Sequence, residues 1–318
     1  MRRMTWVLAV ALVYVFSAGV ATQQAPAPAG PDMTWAFPDR VQKELPPDAT
    51  PKRAPGSAKT YTQEQIDDLL NPPDWYPEQH PGAPLVVTKG AGAAMACGAC
   101  HLMSGLGHPE SSDLTGLTVP YMVQQMLDFK SGVRQDPTGK RMNGIAQAVT
   151  DEQARVAAVY FAKLPRKKFQ TVTEAAMVPK TFLGNGRMRM LDPAGGTEPI
   201  AGRIITVPED LNRARMRDPN SGFVSYVPVG SIARGKELVE TGGGRTMACA
   251  LCHGLDLKGQ GSNPRLAGMH PIYTYRQLAF FKDGTRKGID SSYMVAPVSR
   301  LTSDDMVAIS AYLATLEP

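Results

Sequence analysis

Charge is scarce in this 318-residue chain: 20% of its residues are Asp, Glu, Lys or Arg, against 43% hydrophobic. The net charge of +5 includes Arg2 and Arg3, and loss of the N-terminal segment that carries them leaves +3. No Lys/Arg block is interleaved with aromatics, so no nucleic-acid partner is expected. Cysteine is scarcer still. All four cysteines fall in two pentapeptides, Cys97-Gly98-Ala99-Cys100-His101 and Cys249-Ala250-Leu251-Cys252-His253. A structural zinc site needs four ligands, each pentapeptide offers at most three, and no second Cys/His pair lies beside either one. Length is less restrictive: a chain of this size can bury real cores but divides more naturally into two or three small domains.

The first residues, MRRMTWVLAVALVYVFSAGVATQQ, set two arginines before an apolar run and end it in small residues. This is the pattern of an export signal, and the run is shorter than the roughly 20 residues that span a bilayer. Residues 1–21 therefore read as a signal peptide, or as a membrane anchor if the segment is not cleaved. Proline density over 22–55 removes backbone donors and fixes φ, so 22–79 reads as an extended leader. Within it Trp35 and Phe37 are expected to pack loosely, and a short helix is expected over 62–70, ended by Pro72-Pro73.

An internal repeat sets the organisation. Cys249 lies 152 residues after Cys97, and the same offset relates Tyr121 to Tyr273, Gln125 to Gln277, Phe129 to Phe281, Arg134 to Arg286, Met142 to Met294 and Tyr160 to Tyr312 without a gap. A unit this long, present twice, is a duplicated domain rather than a solenoid repeat. The copies span 80–166 and 227–318. Their patterning is helical: PYMVQQMLDFKSG and IYTYRQLAFFKDG carry apolar residues at helical spacing and end in glycine, and each last helix opens on Thr150 or Thr302/Ser303 as a cap.

A redox dithiol needs only C-x-x-C and leaves the histidine of both copies unexplained. Covalent heme attachment uses every member: two thiols add across the porphyrin vinyl groups, and the adjacent histidine faces the iron. Only two methionine pairs recur at the offset. Met95 and Met247 precede their cysteines by two residues, on the wrong side to reach the far face of the ring. Met142 and Met294 each lie 41 residues beyond the histidine, in a loop before the last helix, and are the expected sixth ligands.

With these motifs, with NPRLAG and the helix after it, with SSYMVAPVSRL and with the closing AYLATL, the sequence resembles the class I c-type cytochromes, specifically the tandem two-heme cytochromes of the bacterial periplasm. The resemblance implies a mainly α fold of two class I cytochrome c domains in tandem, here joined by a long irregular insert, 167–226, and preceded by the Pro-rich leader. It implies two covalently bound heme c groups, on Cys97, Cys100, His101 and Met142 and on Cys249, Cys252, His253 and Met294. The implied activity is single-electron transfer between redox protein partners, a donor and an acceptor, in the periplasm, with membrane association if the first segment is retained. A dedicated cytochrome subunit of a larger dehydrogenase or respiratory complex is the alternative. A diheme peroxidase would need an open iron position, which two matched methionines argue against.

The copies differ where the resemblance matters. Pro81 and Pro84 forbid, in the first copy, the helix that SIARGKELVETGG supplies in the second, where Gly235 permits close approach to the terminal helix near Tyr312. The family receives the axial histidine's other N–H near a proline; Pro264 has that place and Ser112 stands in the first copy, so something else is expected to orient His101. The first heme is expected to be less covered and lower in potential, unless residues 56–79, with Trp75 and Tyr76, fold over it. His80, His108 and His270 lack counterparts and read as solvated. Arg134 and Arg286 are candidates for heme propionates or ordinary exposed helix-end residues. In the insert, GRMRML and GRIITV suggest a small hairpin and PEDLNRARMRD a short helix.

Overall fold

The computed structural model describes residues 34–37, 43, 48–92, 94–137 and 140–318. The expected signal segment lies outside the described residues. Among those described, no helix is long and apolar enough to cross a membrane.

The first elements are short. Helix α1 (Gln63–Asp67) opens on a capping box in which Thr62 and Gln65 satisfy each other's backbone N–H groups. Helix α2 (Leu85–Thr88) is a single turn behind Pro84, all that the prolines allow where the second copy has a full helix. Helix α3 (Cys97–His101) carries the first pentapeptide. Helix α4 (Val119–Ser131) is capped by Thr118 and ended by Gly132 at φ 80°, a conformation glycine adopts without penalty. Helices α5 (Arg141–Ala148) and α6 (Asp151–Ala162) follow, the latter on the Thr150/Gln153 capping box.

The segment 167–226 is stranded rather than irregular. Strand β1 (Gln170–Glu174) is followed by β2 (Met177–Pro179), β3 (Thr181–Leu183), β4 (Arg189–Leu191), β5 (Thr197–Pro199), β6 (Ile205–Pro208), helix α7 (Leu211–Arg215) and β7 (Phe223–Val227). Strand β7 lies between β1, parallel to it, and β6, antiparallel, while β2 pairs with β5 and β3 with β4. GRMRML does enter a hairpin, but its partner is Thr181–Leu183; GRIITV pairs with β7 instead. Asp210 caps the expected short helix, α7.

In the second copy α8 (Ser231–Thr241), α9 (Ala250–His253), α10 (Pro271–Asp283), α11 (Ser292–Ser299) and α12 (Ser303–Thr315) complete the chain. Gly235 lets α8 cross α12: a Cβ there would stand 2.0 Å from the Ala308 carbonyl oxygen. Around this crossing Leu238, Tyr275, Ile309 and Leu313 form the larger core, and Trp35 of the leader joins it, its ring 4.8 Å from Tyr275. The smaller core of the first copy joins Met103, Met122, Phe161 and Leu164, with the Tyr160 hydroxyl donating to the Met103 carbonyl at 2.6 Å.

The leader is not loose where it is described. Trp75 and Tyr76 are buried with Ile66 and with Met216 of the insert, whose carbonyl accepts from Trp75 Nε1 at 2.7 Å. Fully burying aromatic side chains of this kind stabilises by about 1.5–3 kcal/mol each, enough to hold leader to insert.

Candidate heme sites

Helix α3 places His101 so that its Nδ1 lies 2.8 Å from the Ser112 carbonyl oxygen; α9 places His253 so that its Nδ1 lies 2.8 Å from that of Pro264. The substitution of proline by serine is therefore silent. The acceptor is main chain, and position 112 supplies it as well as position 264 does, contrary to the expectation that another group must orient His101. Each Nδ1–H donates to its carbonyl, which leaves Nε2 as the ring nitrogen for a metal. Burial holds both imidazoles below the ordinary histidine range, and the neutral ring is the ligating form.

Cys97, Cys100 and Cys249 are not the thiols of a redox dithiol, which works through a lowered pKa; burial raises all three. Burial pushes Cys97 up to about 12 and Cys249 up to about 11. Among the described residues no group of three or more His, Cys, Asp and Glu side chains converges as a metal site.

Cys97, Cys100, His101 and Met142 all line one cavity of about 600 Å³. Its walls are apolar side chains of α4, α5 and α6, among them Met122, Ile145 and Phe161. The insert closes another side with Arg187, Met188 and Arg217, and the Arg217 guanidinium donates to the Ala99 carbonyl inside the C-x-x-C-H turn. Gln63, Asp67 and Leu69 of the leader line the cavity as well, so residues from outside the first copy stand at the site that lacks the second copy's helix, as the alternative of a leader folded over it allowed. Met142 lies in α5 and Met294 in α11 rather than in loops. In the second copy Cys249 and Met294 border the same buried cluster, while Cys252 is exposed.

Between the copies sits a symmetric polar network. Arg134 donates to Gln125 at 2.7 Å and Gln277 at 2.9 Å; Arg286 donates to Gln277 at 2.9 Å, Gln125 at 2.8 Å and the Tyr121 hydroxyl at 3.1 Å. Neither arginine is an exposed helix-end residue: each is 7% exposed. Burial and the facing Arg134 guanidinium hold Arg286 below its usual range, and its Nε is buried without a partner. Burial alone would raise the Tyr273 phenol, but Arg134 and Arg286 outweigh it and hold it below its usual range. Two buried guanidiniums held mainly by neutral oxygens form a cradle for anionic groups. Arg134, Tyr121, Tyr273 and Gln277 all border the large cavity, so the residues fit a large apolar ring bearing carboxylate arms.

The single histidines are not solvated. His270 is 2% exposed, its ring nitrogens 3.1 Å from Gln170 Oε1 and 3.3 Å from the Leu106 carbonyl oxygen. His108 borders the cavity, with burial as the first cause that lowers it to about 3. Sequence reasoning also passed over Asp113 and Arg265, which stand 152 residues apart and form a buried ion pair at 2.7 Å. Opposite charges at equivalent positions were the signal.

Two tied-back C-x-x-C-H histidines, the paired cysteines before them and a cavity of porphyrin character define a covalent heme-binding, electron-transferring protein. The cytochrome c family model matches residues 232–317. Cytochrome c-554(547) of Halothiobacillus neapolitanus is 33% identical over 96 residues, which are 28% of this chain and 99% of that protein. The chain belongs to the cytochrome c family. It is also similar to cytochrome c4 of Pseudomonas aeruginosa, 28% identical over 71% of this chain and 87% of that one, and to a "thiosulfate dehydrogenase electron acceptor" of Stutzerimonas stutzeri, 26% identical over 70% and 80%. It is a diheme c-type cytochrome, with two covalently bound heme c groups, that passes electrons between redox partners.

Proposed function

We propose that residues 80–166 and 227–318 are two class I cytochrome c domains in tandem, with 167–226 as the connecting insert and 22–79 as the leader. Export on 1–21 delivers the chain to the periplasm. Cys97 and Cys100 attach one heme and Cys249 and Cys252 the other; His101 and Met142, and His253 and Met294, are the axial pairs. Heme iron bound there supplies one-electron oxidation and reduction. The chain's residues fix the imidazoles, offer soft thioethers that favour the reduced metal, and exclude water from the first site.

The observation that carries this reading is the pair of 2.8 Å contacts from His101 and His253 to carbonyls at equivalent positions, which set both rings for ligation. The test is a pyridine hemochrome assay on denatured chain. Two hemes that stay with the polypeptide are expected, and one after replacement of either cysteine pair by alanine. Met142→Ala and Met294→Ala should each remove about half of the methionine-sulfur-to-iron absorption band. Loss of the band from neither variant would remove the methionines from the ligand sets.

A second reading, a dedicated electron acceptor bound to a dehydrogenase, is favoured by the likeness to the thiosulfate dehydrogenase electron acceptor of Stutzerimonas stutzeri and by the extra surface of leader and insert. Co-elution with a dehydrogenase from periplasmic extract supports it; elution alone supports the free carrier.

A further inference from the structure

Positions 113 and 265 are equivalents in the two copies yet carry opposite charges, and their side chains meet. Asp113 directly follows Ser112, whose carbonyl receives the His101 proton; Arg265 directly follows Pro264, whose carbonyl receives that of His253. The Arg265 guanidinium donates to Asp113 Oδ2 at 2.7 Å, to the Thr115 carbonyl at 3.1 Å and to the Ala267 carbonyl at 2.6 Å. Thr115 fixes the other carboxylate oxygen through its N–H at 2.8 Å and its hydroxyl at 2.7 Å. The side chains of Arg265 and Asp113 are 0% and 3% exposed, so neither charge is screened by water.

Stability does not account for such a pair, since desolvating both ions offsets most of their attraction and apolar residues of similar size serve as well. Its orientation has another effect. Asp113 stands on the loop that receives the His101 proton and Arg265 on the loop that receives that of His253, so the pair joins the two loops with opposite charges.

We propose that Asp113 and Arg265 are positioning residues for electron transfer: a built-in dipole between the two axial-histidine loops that lowers the potential of the first heme site relative to the second. The proposal rests on the reading of His101 and His253 as heme ligands. Oxidised heme iron carries one more positive charge than reduced, so a fixed carboxylate borne on the loop that holds His101 favours the oxidised form of the first site, and a cation borne on the loop that holds His253 favours the reduced form of the second. The insert's cover over the first cavity acts in the opposite direction, so the pair's own share is read from changes between variants.

The experiment is a spectroelectrochemical titration of the diheme holoprotein, of Asp113→Asn/Arg265→Gln, and of the charge exchange Asp113→Arg/Arg265→Asp. Each is repeated with Met142→Ala or Met294→Ala to assign the two steps. Neutralising the pair is expected to shift the equilibrium for an electron between the sites at least tenfold toward the first, about 59 mV for one electron. Exchanging the charges is expected to carry it further the same way. A purely structural role lowers thermal stability and leaves the separation of the two potentials as in the wild type; that result, with two hemes retained, overturns the proposal. Should the exchange variant not fold, the neutral pair, which keeps a side-chain hydrogen bond, decides alone. Fewer than two covalent hemes in the wild type overturns instead the reading on which the proposal rests.

Discussion

Leu102, the residue after His101, has φ 61° and ψ 161°, and its equivalent Gly254 has φ 85° and ψ 151°. Glycine takes this conformation freely, whereas a leucine in it stores about 1–3 kcal/mol of backbone strain. What holds the leucine there is its side chain, buried with Leu106, Phe169 and Phe223, so that it ties the attachment turn to the insert. That burial is worth about 1.5–3 kcal/mol, comparable to the strain. Leu102→Gly, which loses the burial and relieves the strain, is therefore expected to lie near wild type in denaturant unfolding. Leu102→Ala loses most of the burial, keeps the strain, and is expected to be the less stable by about 1 kcal/mol or more. An alanine variant more stable than the glycine variant would count against the strained turn. The repeat offset makes the pairing of 102 with 254 legible in sequence; the packing that retains a leucine there comes from residues some seventy and more than a hundred positions away.

Helix α12 shows what an element can disclose in advance and what it cannot. Its capping residue, Thr302, is legible because the signal is local. The rest of that end is not: Asp305 returns to the Thr302 N–H at 3.0 Å and also receives Arg234 of α8 and Arg245, each at 3.1 Å. Burial alone would raise the Asp305 carboxyl, but the Thr302 hydrogen bonds, the Arg234 bond and the Arg245 charge outweigh it and hold it below the usual carboxylate range. A lowered folded-state pKa adds stability that is fully present above the unfolded value, about 3.9, and is lost as pH falls through the folded one. Asp305→Asn should therefore lower the thermal midpoint near neutrality and flatten its decline over the acid range; parallel pH profiles for variant and wild type would exclude this role. Two strands of the insert were suggested by GRMRML and GRIITV, but their partners were illegible for a related reason. Parallel pairing of Gln170–Glu174 with Phe223–Val227 joins two five-residue strands across most of the insert, with no local pattern to announce it.

At the scale of the whole molecule, the duplication, the amphipathic and terminal helices of each copy and both C-x-x-C-H motifs were legible, because each is written in short-range spacing, whereas α5 and α11 were read as loops. The cover over the first site was not, since it is assembled from leader and insert, which the repeat does not contain. Its effect is clearest in equivalent residues around the attachment turns. Ala99 and Met103 of the first copy are 0% and 6% exposed, whereas Leu251 and Leu255 of the second are 72% and 98% exposed. A protein-sized reductant should therefore reach the second copy first, and Leu251→Asp should slow its reduction of both sites in stopped-flow measurements. A small reductant such as dithionite should be affected little. Equal slowing for both reductants would mean that Leu251 acts on the site itself rather than on access to it.

An open second copy and a roofed first copy give the molecule one door. On the proposed reading, an electron that enters at the second copy passes to the first across the boundary where Arg134 and Arg286 meet and leaves by the same route, so charge is stored and released as in a stack, the last electron in being the first out.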